Sequence, residues 1–374
     1  MPLRILVIPD KFKGTLTTEA AGAVIAAGWR QARPGDDLEI VAMSDGGDGF
    51  GAILSGQFHA PAHTTRVVDA AQRPHDAQWW FAPASRTAIV ESARAIGLAL
   101  LPPKQFHPFQ LDTRGLGELL LAAASAGARR CLIGIGGSAT NDAGFGMARV
   151  LGWKFLARDS TEITAWTELH RLERLQPPRK RRLFPTALVA VDVQNPLLGA
   201  QGCSRIYGPQ KGLRPEDFPL AEKCLGRLAR VAAAQFPDVS AKEPGTGAAG
   251  GLGFGLRLFL GAKLQPGFAL FARHAGLVRR LCEFDLVLTG EGALDKSTLM
   301  GKGVGEIGRL CQRLKLPCVA LGGVLTDPRA VRKLFTTARA ITPDLTSPTN
   351  ALAHPAHWLT ELARVTAAEY RAED

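Results

Sequence analysis

The stretch Leu3-Arg4-Ile5-Leu6-Val7-Ile8-Pro9-Asp10-Lys11-Phe12-Lys13-Gly14 opens the fold. Its apolar, β-branched half reads as a buried strand, and Asp10 to Gly14 as the loop that leaves it. Thr17 or Thr18 then caps a helix through about residue 32, with Glu19 in the first turn to suit the helix dipole. A second strand over 38–43 ends in Ser44-Asp45-Gly46-Gly47-Asp48-Gly49. Strand, loop, helix, strand and loop in that order begin a parallel sheet.

Working outward, the texture changes over 64–92, where short runs such as Trp79-Trp80-Phe81 and Ala88-Ile89-Val90 alternate with turns and read as antiparallel. A helix over 115–126, a strand over 131–135 and a helix from near Asn141 follow. Residues 159–186 are charged and poorly patterned, and read as a surface excursion. Another strand covers 187–193, and residues 245–255 are glycine-rich. From Phe284 the opening pattern returns: a strand over 285–289, a glycine loop, then a helix with Val304, Ile307, Cys311 and Leu314 on one face. The expectation is an α/β protein of two domains. Residues 1–61 and 283–374 join as a doubly wound parallel-sheet domain, and residues 62–282 form an inserted mixed α/β domain.

Composition narrows the function. A chain of 374 residues, 46% hydrophobic and 21% charged, exceeds what one core usually serves. It contains no apolar run of the roughly 18 residues that a membrane span needs. Nor does its start read as an export signal, so the expectation is a cytoplasmic protein without a membrane partner. Cysteines at 131, 203, 224, 282, 311 and 318 form no metal-binding spacing and read as reduced thiols. The net charge of +11 suits either nucleic acid or small anions. Arg179-Lys180-Arg181-Arg182 lacks interleaved aromatics and reads as a solvated loop, so small anions are the better reading.

Chemistry concentrates where strands end in glycine, carboxylate and lysine, which is where open α/β sheets bind ligands. Gly134-Ile135-Gly136-Gly137-Ser138-Ala139-Thr140-Asn141-Asp142 follows a strand and precedes a helix, an arrangement that can cradle an anion on backbone amides. The same residues could simply make a tight turn capped by Asn141 or Asp142. They also fit a degenerate dinucleotide fingerprint, with Asp159 about 20 residues on, which would indicate a nicotinamide-dependent hydroxy-acid dehydrogenase. Phosphoryl transfer needs an anion cradle, carboxylates for Mg²⁺, a cation and a group to orient the attacking hydroxyl. Lys11, Lys13, Lys211 and Lys302 are candidate cations. Asp10, Asp45, Asp192, Glu291 and Asp295 are candidate carboxylates. Glu118, early in a helix and close to Arg114, reads as structural.

These blocks resemble the type I glycerate kinases. The resemblance covers nearly the whole chain. It rests on Pro9-Asp10-Lys11-Phe12-Lys13-Gly14, the loop at 44–49, Gly115-Leu116-Gly117-Glu118-Leu119 and residues 134–142. Asp192-Val193-Gln194-Asn195-Pro196-Leu197-Leu198-Gly199, Gly208-Pro209-Gln210-Lys211-Gly212, residues 245–255 and Thr289-Gly290-Glu291-Gly292-Ala293-Leu294-Asp295 through Lys302 continue it in order. The resemblance implies a Rossmann- or flavodoxin-like domain with an inserted α/β domain, ATP and Mg²⁺, D-glycerate as acceptor and 2-phosphoglycerate as product. Lys11, Lys13, Asp192 and Asp295 are the catalytic candidates, with Asp45 and Asp192 for the metal. Asp10, Asp45, Gly46, Gly47, Gly136, Gly137, Ser138, Asn141, Asp142, Lys211, Gly290, Glu291 and Lys302 are the binding candidates. Ala293 and Ser297 stand where the family often carries arginine and glutamine, and a non-catalytic organic-acid sensor is the remaining alternative.

Overall fold

A computed structural model describes residues 2–371 apart from 13, 48 and 300–302. Lys13 and Lys302 therefore lie outside the described residues. The strands in chain order are β1 (Arg4–Val7), β2 (Asp37–Ile40), β3 (Ala62–Val68), β4 (Pro74–Ala82), β5 (Thr87–Glu91), β6 (Arg130–Gly134) and β7 (Lys154–Ala157). They continue with β8 (Leu172–Gln176), β9 (Thr186–Val191), β10 (Lys263–Pro266), β11 (Leu286–Leu294), β12 (Cys318–Leu325) and β13 (Thr337–Thr342). The chain divides into two units, residues 1–44 with 271–374, and residues 45–270. The sequence reading sets its divisions later, at 61/62 and 282/283. The helix Phe50–Phe58 belongs with the second unit because Gly51 packs on Trp80 of β4 and its amide donates to Glu91 of β5.

In the first unit the sheet order is β13-β12-β11-β1-β2, parallel at every pair. Counted within the unit this is 2-1-3-4-5, the flavodoxin-like order, with its topological switch between β1 and β11. Ile5 and Val7 are fully buried beside Leu286 and Leu288, as strands covered on both faces require. Thr17 caps the helix Thr18–Ala32, its side chain accepting from Ala20 N at 3.2 Å. That helix buries Ala21, Ile25 and Trp29 against Leu359 and Ala363 of the helix Pro355–Glu369. Trp29 keeps its one polar atom satisfied by donating Nε1–H to Asp36 Oδ2 at 2.9 Å.

One element differs from expectation here. The strand does not give way to a loop at Gly290; β11 runs on to Leu294, with Glu291 opposite Gly322 and Ala293 opposite Val324 of β12. Backbone groups that composition assigns to a loop find their partners in a neighbouring strand instead.

The second unit holds a six-stranded sheet, β10-β9-β6-β5-β4-β3. β10, β9, β6 and β5 are parallel, and β4 and β3 add as antiparallel strands, matching the texture of 64–92. The excursion at 159–186 is more ordered than its charge suggests. It contains a 3₁₀ turn, Trp166–Arg171, and β8, which pairs antiparallel with β7. Trp166, Leu169, Leu172 and Leu175 are buried at every third position, a 3₁₀-like spacing that the intervening charges conceal. All six cysteines are free thiols. Among the described residues, no helix is long and apolar enough to cross a membrane.

Candidate active site

In the first unit the candidate residues gather at the switch point. Asp10 N donates to Gly290 O at 2.8 Å, so the chain leaving β1 follows β11 beyond the end of the β1 ladder. Asp10 Oδ1 accepts from Lys11 N at 2.7 Å, which shapes the loop as it departs. Glu291 is held by the buried Thr298, whose hydroxyl donates to Glu291 Oε1 at 2.7 Å. Asp295 caps the turn that follows, its Oδ1 accepting from Thr298 N at 3.4 Å. Asp10, Lys11, Gly290, Glu291 and Asp295 thus share one end of one sheet.

In the second unit β5, β6 and β9 are parallel and end on one edge. The loop 45–49 is fastened across all three ends. Glu91, the last residue of β5, accepts from Gly49 N and Gly51 N, both at 3.2 Å. Gly46 O accepts from Gly136 N at 3.3 Å, just beyond β6. Gly46 also backs onto β9: at φ +101°, its Cβ would lie 2.7 Å from Ala190 Cβ, so only glycine fits. Asp45 folds its Oδ1 onto Gly47 N at 3.0 Å, while Asp192 stands exposed after β9. Beside Asp192, Tyr207 donates to Asn195 Oδ1 at 2.6 Å. Burial, then the Asp192 charge, pushes the Tyr207 phenol up to about 12 and keeps it protonated.

The loop 134–142 divides between two jobs. Its first half faces outward at Gly137, while Gly136 already gives its amide to Gly46. Ser138 is buried, with its hydroxyl 3.0 Å from Thr140 Oγ1. Its second half turns inward. Asp142 is fully buried and accepts from Thr113 N, Thr113 Oγ1, Gly144 N and Gly146 N at 2.8–3.2 Å. Burial pushes its carboxyl up against the pull of those four donors. Asn141, equally buried, donates to Ser204 Oγ at 2.9 Å. The helix expected near Asn141 starts only at Phe145, because Asp142 caps its first turn from outside. A dinucleotide fingerprint would place the helix start at the loop itself.

The glycine-rich segment supports this loop from below. The helix Ala248–Phe259 is interrupted by left-handed residues at 249–251, and a Cβ on Gly250 would lie 2.0 Å from Thr140 O. Lys211, on the short helix Gly208–Lys211, lies against the same carbonyl, its Nζ donating to Thr140 O at 2.7 Å. Only 7% of Lys211 is exposed, and burial pushes its ammonium down to about 8. Glu118 is structural, as expected: Oε2 accepts from Val68 N at 2.9 Å and Oε1 meets Arg114 at 3.5 Å.

A groove of about 1570 Å³ opens on this edge, reached by Gly49, Glu91, Gly137 and Lys211. Glu91 and Arg94 line it and escaped the sequence reading. The signal for Glu91 was present, since it follows the apolar run Ala88-Ile89-Val90 as Asp10 follows β1. Among the described residues no three His, Cys, Asp or Glu side chains gather into a metal cage. An Mg²⁺ carried on nucleotide phosphates asks only for one or two carboxylates, and Asp192 and Asp45 fit that role by donor type.

Residues 5–371 match the glycerate kinase family. The glycerate 2-kinase of Escherichia coli (strain K12) is 34% identical, over 87% of this chain and 86% of its own length. The glycerate kinase of Bacillus subtilis (strain 168) is 32% identical, over 99% and 98%. A crystal structure described as "putative glycerate kinase 2" from Salmonella typhimurium LT2 aligns with a TM-score of 0.82 at 30% identity, covering 98% of both chains. Fold and relatives define an α/β enzyme of the kinase class. More narrowly, the chain belongs to the glycerate kinase family.

Proposed function

We propose that this protein transfers the γ-phosphoryl group of ATP to the 2-hydroxyl of D-glycerate, giving 2-phosphoglycerate and ADP. The observation that carries the reading is the family match across residues 5–371, and three of the resembling blocks, 9–14, 134–142 and 192–199, follow the strands β1, β6 and β9. In the transfer, the 2-hydroxyl oxygen forms a bond to the γ-phosphorus as the bond to the β,γ-bridging oxygen breaks. The hydroxyl proton leaves to a carboxylate or to water.

Each unit supplies groups suited to that chemistry. In the second unit, the ammonium of Lys211 and the amide edge at Gly137 attract an anionic group. Asp192 and Asp45 would hold Mg²⁺, which neutralises phosphate charge when bound. In the first unit, Lys11 and Lys13 are cations for the developing charge, with Lys302 a further binding candidate. Asp295 or Glu291 orients the hydroxyl or takes its proton, and the Thr298 bond keeps Glu291 from swinging away. We place the protein in the cytoplasm, where its six free thiols stay reduced.

The experiment is ATP consumption by the purified protein with Mg²⁺ and D-glycerate, with the product identified by ³¹P NMR. Formation of 2-phosphoglycerate is expected. Formation of 3-phosphoglycerate alone would correct the position of attack, and no turnover by a folded protein would defeat the reading.

A further inference from the structure

The helix Phe50–Phe58 begins without a cap of its own. Gly49 holds the cap position in a left-handed conformation, φ 86°, and has no side chain to accept from the first amides. A distant strand meets them instead. Glu91, at the end of β5, accepts from Gly49 N through Oε1 and from Gly51 N through Oε2, both at 3.2 Å. Only 4% of Glu91 is exposed, and Arg94 Nε lies 3.9 Å from Oε2. A carboxylate in this place also suits the positive end of the helix dipole.

Nothing within the turn can replace it. A Cβ on Gly51 would lie 1.9 Å from the Trp80 ring on β4, and one on Gly134 of β6 would lie 2.6 Å from the Phe50 ring. The first turn is thus pressed onto β4 and β6 and capped from β5. The loop 45–49 runs straight into it, with Gly47 N donating to Asp45 Oδ1 at 3.0 Å and Phe50 N to Gly47 O at 3.1 Å. Asp45 is therefore joined to Glu91 by a short chain of backbone hydrogen bonds. Without the Glu91 carboxylate, two amides would lose their acceptors beside apolar walls, and the loop would move to find others.

We propose that Glu91 is a positioning residue for phosphoryl transfer: it caps the helix Phe50–Phe58 from β5 and so holds the loop 45–49, with Asp45, against the strand ends. The proposal rests on the kinase reading above and deepens it by giving a role to a carboxylate that acts through the loop.

The test compares Glu91→Gln and Glu91→Ala with wild type in the full-length protein. Turnover of ATP with D-glycerate is measured beside amide hydrogen exchange over residues 46–53, with added acetate as the probe. Gln keeps the shape but offers one acceptor oxygen, whereas Ala leaves a space that a small carboxylate can enter from the groove Glu91 lines. A displaced site can lose rate on the order of 100-fold, so kcat should fall about tenfold in Glu91→Gln and about 100-fold in Glu91→Ala. Exchange at 49–51 should quicken in both. Acetate should restore about fivefold of the lost rate in Glu91→Ala and slow the exchange again, while neutral acetamide does neither and wild type responds to neither. A purely structural role would lower the Tm without this rescue. If Glu91→Ala does not fold, Glu91→Gln decides alone. Wild-type kcat in Glu91→Gln would overturn the proposal. So would a fall in kcat with wild-type exchange at 49–51, which would make Glu91 a group that touches substrate. Exchange is read without substrate, so a wild-type protein that phosphorylates no glycerate would defeat the kinase reading, while quickened amides in Glu91→Gln would still show that Glu91 holds the loop.

Discussion

The ammonium of Lys211 and the carbonyl of Thr140 are 2.7 Å apart in a place that water barely reaches. Burial lowers the ammonium from its ordinary value of 10.5 to about 8, so it loses its charge within reach of ordinary assay conditions. Two opposite pH trends follow from that one group. If the charged form binds phosphate, kcat/KM for ATP falls above an apparent pKa near 8. Stability instead rises from pH 8 towards 10.5, because there the unfolded chain holds the proton that the folded one has released. Rate profiles and urea midpoints between pH 6.5 and 10 on the order of half a unit apart would show both. A flat rate profile across pH 8 would remove Lys211 from phosphate binding.

Asp192 is exposed and makes its case through position, at the carboxyl end of β9. Asp192→Ala is expected to lower kcat about 100-fold or more, to raise the Mg²⁺ concentration needed for half-maximal rate, and to leave the Tm nearly unchanged. Lys11→Ala should lower kcat similarly without shifting the Mg²⁺ requirement. Near-wild-type rates in either variant would take that residue out of the mechanism.

Asp112 tests the electrostatics around Asp142 without touching the groove. Burial, then the neighbouring Asp142, raises its carboxyl from the ordinary 3.8 to about 6, while Arg114 N donates to it at 2.9 Å. A raised folded pKa contributes stability below pH 3.8 and loses it as pH climbs through 6. Asp112→Asn should therefore be more stable than wild type at pH 7.5 by about 1–2 kcal/mol, with the difference vanishing near pH 4. Denaturant midpoints at the two pH values decide it.

Two glycines give a matched contrast. A Cβ on Gly267 would sit 1.5 Å from Asp45 O, whereas one on Gly56, in the helix Phe50–Phe58, meets nothing within 4 Å. Gly267→Ala must push the Asp45 loop away, and misplacing a site by about 1 Å can cost on the order of 100-fold in rate. Gly56→Ala should leave the rate alone and add up to about 1 kcal/mol of stability. Equal rates in the two variants would detach the Asp45 loop from the chemistry.

Much of the first unit was legible residue by residue. Leu3 to Ile8 and the run at 285–289 are near-continuous apolar strands because parallel strands are covered on both faces. Thr17 announced its cap, and of the face Val304, Ile307, Cys311 and Leu314 the first three are buried as their spacing predicts, with Leu314 half-buried at the helix end. The hairpin of β7 and β8 was not legible, since its apolar residues recur at three, a period that charged neighbours at 168, 171, 173 and 174 mask. Nor was the extension of β11, because a ladder partner can make a strand out of residues whose local preference is for a loop.

The candidate loops divide the same way. Composition located glycine and carboxylate at strand ends, since those residue types are needed wherever a backbone turns sharply beside an anion. It could not tell that Asp142 turns inward onto Thr113 while Asp192 is exposed, because burial is set by what packs nearby after folding. Nor could it find Glu91 fastening the loop 45–49, or the groove where Leu98, Gly137 and Lys211 meet. Local order along the chain is written in short-range pattern and turn chemistry. Contacts among residues this far apart in sequence exist only once the parallel strands have stacked their carboxyl ends along one edge.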